Sequence, residues 1–448
     1  MNKIVNFFLL GITFFPIICF CQNGLNIEGF VPNLIPPSPN AYALGKYGQI
    51  PIGLYTGLVN FDLPLYTYKT NHLTVPISLQ YSSNGIKVDQ VESNVGLGWN
   101  LNAGGVITKF VRNRSDDLQA CMYPAQEIFN VNNQAAIDFF DSVGNWNGDA
   151  EPDLFMFNFM GHSGEFVFDK DHNVVIMPLQ DIKIEDYVEG SDDDGFTITC
   201  SDGIKYSFYS SEVVSSRLTG IEPPPEQSFL TNAWYLTKII HPNGDTITFT
   251  YEHDGYWYYT SICETYTVLD PPGQAECEGI TMENPGKSGP FLHRSTVAGL
   301  RLVKISSNNV ANGEVDFFSN YVSPDVPGFN LIDSILVKNQ YSNLIERFDF
   351  DYYSPKNKRV FLNGVKFKDV SKLYSFNYIG PDSLPERLSY AQDHWGYYNG
   401  VLNNVNFYPN LPDNAYFSNI NGANKEPDSV FSKVGLLRKI RHFAILSG

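Results

Sequence analysis

Several residue combinations that could carry out chemistry occur in this chain, but their spacing does not fit the reactions they suggest. No His is directly followed by Glu, so the chain lacks the helical motif in which two His bind zinc beside a general base. Gly161-His162-Ser163-Gly164-Glu165 lacks the last Gly of a nucleophile elbow. Gly279 and Gly286-Lys287-Ser288 are separated by six residues, whereas a phosphate-binding loop needs four. We therefore predict no cofactor site and no hydrolase nucleophile.

The acidic turn after residue 168 has part of a calcium-binding pattern. Asp169, Asp171 and Asn173 occupy the first, third and fifth positions of such a loop. Val174 and Gln180 stand where the loop requires a Gly for its sharp turn and a bidentate Glu. We predict a polar turn that follows a strand, and no metal site.

Glu276-Cys277-Glu278 is a pair of carboxylates with a catalytic precedent. In mono-ADP-ribosyltransferases an E-x-E pair orients the substrate and assists the departure of nicotinamide. A match of this length arises readily by chance in an acidic chain. The Ser-Thr-Ser strand expected upstream is missing, and Ser295-Thr296-Val297 lies downstream. We predict that the protein is not an enzyme.

The segment 392–400, QDHWGYYNG, places a carboxylate next to an imidazole. Asp393 could fix the tautomer of His394 as in a general base. Adjacent residues of an extended chain point to opposite faces, however, so Asp393 is poorly placed to orient that ring. We predict a structural turn at Gly396, with Trp395 and the two following Tyr residues buried and with Asp393 or His394 bonded to the backbone.

The elements that must position any site are organised around residues 85–112, GIKVDQVESNVGLGWNLNAGGVITKFVR. Ile86 and Val88 alternate with polar neighbours as in a strand. Four glycines and a Trp punctuate the rest of this stretch: Gly96, Gly98, Trp99, Gly104 and Gly105. Gly reaches positive φ without steric cost, so we predict a structural corner around a buried Trp rather than a ligand loop.

The run from Leu44 to Arg112 resembles the N-terminal region of secreted bacterial RHS/YD-repeat proteins. The matching stretches are LGKYGQIPIGLYTGLVNFDLPLYTY, LTVPISLQYSSNGIKVDQ and VGLGWNLNAGGVI, followed later by GEFVFD, WYLTKIIHPNGDTITFTYE and QDHWGYYNG. The shorter GLGWNL core is also similar to plasmid-virulence and insecticidal toxin-complex subunits. In such families the repeats wind into a hollow shell around a C-terminal effector. The resemblance implies a scaffold whose partners are other proteins, namely shell, secretion or delivery components.

The first 21 residues have the pattern of a signal peptide. Lys3 is followed by an apolar stretch from Phe7 to Phe20, and Cys19 and Cys21 stand at plausible positions before a cleavage site. The alternative is a lipoprotein signal with one of these cysteines acylated. We predict an exported bacterial protein of the periplasm, outer surface or medium, with no transmembrane span in the mature chain.

Composition favours a β-rich protein that does not bind nucleic acid. The 448 residues carry a net charge of −18, whereas nucleic-acid binding needs a positive surface. Charged residues make up only 17%, while the chain has 33 Phe, 27 Tyr, 36 Gly and 27 Pro. This profile suits short strands joined by tight turns. We predict a mainly β fold of antiparallel hairpins in large or sandwich-like sheets, with at most one or two short helices.

Alternating apolar residues and turn signals locate the individual elements. We expect a half-buried edge strand over 73–81 because it contains Pro76, and a helix near 126–140. Hairpins are expected at 155–168, 196–208 and 234–251, and further strands at 300–305, 332–337, 348–353, 360–367 and 374–378. Period-two aromatic stripes in these strands are interpreted as core, the alternative being a surface that binds glycans. We divide the mature chain into regions 22–115, 116–290 and 291–448.

Four cysteines remain after the signal, and sequence alone leaves three pairings open. Cys200 ends an alternating strand on its apolar face, which predicts a buried thiol. Cys263 and Cys277 bracket a Pro-rich loop. We predict that they pair, because closing a loop of about 15 residues contributes about 3 kcal/mol.

The C-terminal segment 434–441 resembles the start of the first YD repeats. The residues after it, 442–448, lack the Pro and paired Gly that continue the repeat in relatives. We therefore expect a truncated or frameshifted member of the family. Its last strand is expected to present an unpaired edge that favours self-association.

Overall fold

The computed structural model describes residues 38, 39, 41, 59–123, 133–145, 148–186, 195–219, 229–267, 286–410 and 421–444. Strands dominate this part of the chain, as the sequence predicts. The predicted signal peptide lies outside the described residues. Within them, no helix is both long and apolar enough to cross a membrane.

The elements are numbered in chain order. The first half contains β1 (Val59–Lys69), β2 (Thr74–Ser83), β3 (Trp99–Asn102), β4 (Gly105–Phe110), α1 (Gln134–Gly144), β5 (Leu154–Phe159), β6 (His162–Phe168), β7 (Val174–Met177), β8 (Ile182–Asp186), β9 (Phe196–Cys200) and β10 (Lys205–Thr219). The second half contains β11 (Phe229–Ile240), β12 (Thr246–Thr267), β13 (Gly286–Ser307), β14 (Glu314–Phe318), β15 (Tyr321–Val322), β16 (Asn330–Leu331), β17 (Ser334–Lys338), β18 (Leu344–Tyr353), β19 (Phe361–Phe367), β20 (Lys372–Tyr378) and β21 (Leu437–Ala444). Short 3-10 turns lie at Val310–Asn312, Pro355–Asn357, Pro381–Ser383 and Phe431–Lys433.

Strands β1, β2 and β3 form a three-stranded antiparallel sheet. Among the described residues, sixteen strands form a second sheet, and thirteen of them follow the order β21-β20-β19-β18-β17-β14-β13-β10-β11-β4-β5-β6-β7. In addition, β12 pairs with β11 and β13, and β9 joins β8 to β10. Strands from all three predicted regions belong to this sheet, and β13 runs through the predicted boundary at residue 290.

The main core lies between the two sheets. Alternate residues of the strands point into it, so Phe155, Phe157 and Phe159 are buried while their neighbours on β5 are half-buried. These rings belong to the same buried cluster as Ile77 of the small sheet and Phe348 of β18. The predicted hairpins are present at all three places.

Three local expectations differ from the structure. Strand β2 is the central strand of its sheet rather than an edge, but β3 pairs only with residues 78–81, so Pro76 lies where β1 is its only partner strand. Ile86 and Val88 are buried, but they do not belong to a strand. Between them only Lys87 pairs, in an isolated bridge. The helix spans Gln134–Gly144, capped by the Asn133 side chain, so it ends beyond the predicted residue 140, while residues 126–132 of the predicted range lie outside the described residues.

Candidate functional site

Trp99 is the centre of the glycine-rich corner, and its side chain is 1% exposed, as predicted. Its ring packs against Phe376 at 4.4 Å between centroids and against Tyr81 at 5.3 Å. Its Nε1 donates a hydrogen bond of 2.8 Å to the Tyr378 hydroxyl, which in turn donates to a backbone carbonyl. The indole therefore joins the small sheet to β20 of the large sheet, and its only polar atom has a partner.

The glycines of the corner are required by close packing. Gly96 and Gly98 have φ values of +97° and +76°, which L side chains rarely adopt. A Cβ on Gly98 would lie 2.7 Å from the Tyr81 ring, and one on Gly105 would lie 2.4 Å from Cβ of Phe159. Gly104 is less constrained, since its nearest atoms would be 3.7 Å away. This geometry fits the structural corner that the sequence predicts.

A small cavity lies beside the corner, lined by Gly104, Gly105, Tyr235, Tyr251 and Arg301 among others. Its volume is about 60 Å³. Sites for small organic ligands occupy several hundred Å³. The cavity has room for a few water molecules and not for such a ligand.

The corner and the loop 392–400, which are almost 300 positions apart in sequence, meet in space. Lys87 and Tyr397 form an isolated antiparallel bridge, and the Val88 N–H donates to the Gly396 carbonyl at 2.9 Å. A Cβ on Gly85 would lie 2.6 Å from the Tyr397 ring. We call this contact, together with the buried cluster around Ile86, Val88, Leu97, Phe361, Leu384, Ala391, Tyr398 and Val434, the junction.

Asp393 holds the loop side of the junction together. It is buried, and its carboxylate accepts N–H bonds from Trp395 at 2.8 Å and Tyr397 at 2.9 Å. His394 is exposed, and no bond between its ring and Asp393 is found among the described residues. The backbone bonding of Asp393 matches the predicted structural turn, and the general-base arrangement is not formed.

The expectation of a buried Trp395 is wrong. Residues 394 and 395 form the tip of the turn, and the Trp395 side chain is 61% exposed. The backbone bonds to Asp393 tighten the loop, so the tip projects away from the core. Of the two Tyr residues, Tyr398 is buried and Tyr397 is half-buried.

Arg359 is fully buried at the junction, although sequence reasoning did not single it out. Its guanidinium donates to the backbone carbonyls of Val88 at 3.1 Å, Gln90 at 2.7 Å and Lys87 at 3.4 Å. These carbonyls belong to a segment outside the named strands, and those of Lys87 and Val88 also accept backbone N–H bonds from Gln90 and Leu388. One arginine thus supplies several donors to an irregular stretch of buried backbone.

Glu92 lies nearby and is also fully buried. It accepts a hydrogen bond from the Ser323 hydroxyl. Burial raises the pKa of the Glu92 carboxyl, and the neighbouring charge of Asp325 adds to the shift, while Arg359 opposes it. Burial likewise lowers the pKa of Arg359, against the opposing effect of both acids. The junction therefore contains buried ionisable groups of both signs, and among the described residues Oε2 of Glu92 and Nε of Arg359 have no hydrogen-bond partner.

A second buried carboxyl, Glu212 on β10, lies outside the junction. The backbone N–H of Ser38 donates to it at 3.2 Å, and so does the Tyr235 hydroxyl. Burial raises the pKa of Glu212 to about 7, with a smaller contribution from Asp254. The only sequence signal for the burial of Glu212 is the alternation of residues along β10. That signal is weak, because one neighbour of Glu212 is polar, Ser211, and the other is apolar, Val213.

The remaining sequence candidates lie apart from the junction. Asp169 accepts N–H bonds from Asp171 at 2.9 Å and Asn173 at 2.8 Å, which is the polar turn predicted there. Cys200 is buried as predicted, with its sulfur 3.7 Å from Nε2 of His162. No group of three or more potential metal ligands occurs within the described ranges.

Two predictions involve residues that are not described. Cys263 lies half-buried in β12, but Cys277 falls in the segment 268–285, which is outside the described residues. Their pairing stays a prediction. The E-x-E sequence, Glu276-Cys277-Glu278, lies in the same segment.

Comparison with known proteins returned structural similarity only. No family model matches the chain, and no curated protein matches it. The crystal structure of TcdB2-TccC3-Cdc42 is similar over 72% of this chain and 16% of that chain, with 12% identity and a TM-score of 0.38. The structure of the Photorhabdus luminescens Tc holotoxin pore is similar over 74% of this chain and 16% of that chain, with 12% identity and a TM-score of 0.36. The N-terminal domain of the effector protein SpvB from Salmonella typhimurium strain LT2 is similar over 68% of this chain and 98% of that domain's chain, with 10% identity and a TM-score of 0.30. The chain thus spans 16% of the length of the toxin-complex chains it is similar to.

Proposed function

We propose that this protein is a non-enzymatic exported scaffold, the N-terminal part of an RHS/YD-repeat shell that encloses or helps to deliver an effector. The observation that carries the proposal is the junction. Two of the stretches that carry the family resemblance, the glycine-rich corner and the loop 392–400, pack against each other through backbone bonds and buried side chains. Residues that hold two distant segments against each other in this way have a structural role.

The large sheet supports the same proposal. A wall needs many strands in continuous register, and sixteen antiparallel strands in one sheet provide it. Its buried aromatic face packs against the small sheet and supplies the rigidity that enclosure requires.

The proposal is tested by recovering partners from cells. The tagged full chain, isolated from the envelope and medium after cross-linking, is expected to carry shell, secretion or delivery proteins. The matched control is the variant Gly98→Val, which disrupts the corner because its side chain would meet the Tyr81 ring. Recovery of the same partners by wild type and by an unfolded variant, or of no envelope protein by wild type, would contradict a scaffold.

One observation favours a second candidate, a surface adhesin that binds glycans. Trp395 is 61% exposed at the tip of its turn, and exposed indole rings stack on sugars. A glycan array with wild type and Trp395→Ala separates the two candidates. Binding that is lost in the variant, while thermal stability is kept, would favour the adhesin. No glycan binding by wild type would favour the scaffold.

A further inference from the structure

The edge strand of the large sheet has an unusual charge. The protein as a whole carries −18, yet β20 and β21 contain Lys372, Arg438, Lys439 and Arg441 and neither Asp nor Glu. Arg438, Lys439 and Arg441 are all exposed, and no ion pair is found for them among the residues described. Uncompensated positive charge is therefore concentrated at one border of the sheet.

The register of β21 shows how these charges are presented. Ile440 lies opposite Phe376, which belongs to the main core, so this face of the strand points inward. Lys439, Arg441 and Phe443 alternate with it and share the outer face, where Phe443 is 45% exposed. One side of β21 pairs with β20, and no strand among the described residues pairs with its other side.

We propose that this border, which we call the basic edge, receives an acidic extended segment of another protein by strand addition. Backbone donors and acceptors on the open side of β21 would continue the ladder. Acidic side chains on the outer face of the added strand would lie beside Lys439 and Arg441, and apolar ones would cover Ile440. The favoured partner strand alternates acidic and apolar residues.

The same charges disfavour a second copy of this chain at the edge. Two β21 strands paired antiparallel would bring Lys439 and Arg441 of one copy next to those of the other, on the same face. Lysine on an edge strand also protects against indiscriminate pairing. The basic edge therefore discriminates between partners, which goes beyond the self-association expected from an unpaired strand alone. This inference rests on the scaffold proposal in one respect: it gives the chemistry of a partner that the scaffold would bind.

The test uses the full chain and labelled synthetic peptides, with fluorescence anisotropy as the readout. One peptide alternates Glu with Val, and the others alternate Gln or Lys with Val. We expect the acidic peptide to bind about tenfold more tightly than the neutral one, since two cross-strand ion pairs favour it, and the basic peptide to bind least. Equal affinities for the three peptides, or no binding of the acidic one, would overturn the proposal.

Two controls separate strand pairing from general attraction. An acidic peptide with Pro in place of Val keeps its charge but lacks the N–H of every second residue and has φ fixed at those positions, so it is expected to pair poorly as a strand and to lose binding. The double variant Lys439→Glu/Arg441→Glu is expected to prefer the basic peptide, while Lys170→Glu/Lys183→Glu, which reverses two exposed charges in another part of the chain, keeps the wild-type order. Binding of the Pro peptide, or an unchanged order in the first variant, would refute the basic edge. Either result would leave the recovery of envelope partners as a separate test of the scaffold.

Discussion

Replacing Trp99 with Ala measures how much of the fold depends on the glycine-rich corner. The side chain is 1% exposed and contacts rings of Tyr81 and Phe376 from both sheets. Removing a buried Trp usually costs 3–5 kcal/mol through lost burial and the cavity that remains. The Tyr378 hydroxyl also loses its donor, which adds about 1 kcal/mol. We expect the free energy of unfolding to fall by about 4–6 kcal/mol.

Urea denaturation followed by far-UV circular dichroism gives this difference directly. Trp395→Ala is the matched control, since the same residue type is 61% exposed there and the expected change is within about 0.5 kcal/mol. Trp99→Phe keeps an aromatic ring and loses the hydrogen bond, so it separates the two contributions. A loss below about 1 kcal/mol for Trp99→Ala, or equal losses for both Trp variants, would refute the structural role of the corner.

Three other changes test the buried groups. Glu212→Gln is expected to flatten the pH dependence of stability, because the folded pKa of Glu212, about 7, lies above the unfolded value of 4.5. Between pH 5 and pH 8 the unfolding free energy of wild type should therefore fall by about 3 kcal/mol more than that of the variant, and parallel curves would contradict this. Arg359→Met removes the side-chain donors to the Lys87, Val88 and Gln90 carbonyls, and we expect a loss of about 3 kcal/mol in urea denaturation, against little change for the exposed Arg347→Met. Gly105→Ala should lower stability by about 1–3 kcal/mol because its Cβ would clash with Phe159, while Gly255→Ala meets open space; similar melting temperatures for the two would count against the packing argument.

Local patterns were sufficient to predict the hairpins and the burial of Trp99. Turns such as Asn243-Gly244 require positive φ, and Gly244 has a φ of +84°. Alternating Phe155, Phe157 and Phe159 specify which face of β5 is buried. These features depend on interactions between residues that are close in sequence, which is why the sequence alone contains them.

The junction could not be predicted in the same way. Val88 meets Gly396, and Arg359 meets Gln90, across separations of roughly 300 residues that no periodicity encodes. The exposure of Trp395 shows the same limit, because the turn that carries it is docked on Lys87 and Val88, roughly 300 positions away, with its tip outward. Residue type alone favours burial for both tryptophans, and only the long-range contacts distinguish them.

The burial of Arg359 connects these observations to function. The segment 87–97 runs through the protein without belonging to a sheet, so its carbonyls need donors from elsewhere. A guanidinium has five N–H groups in a fixed plane, and it bonds three of those carbonyls. Removing a charge of this kind from water is costly, and it is tolerated where many hydrogen bonds compensate for it. Bonds of this kind favour a single conformation of segment 87–90, which is what the proposed scaffold role requires of the junction.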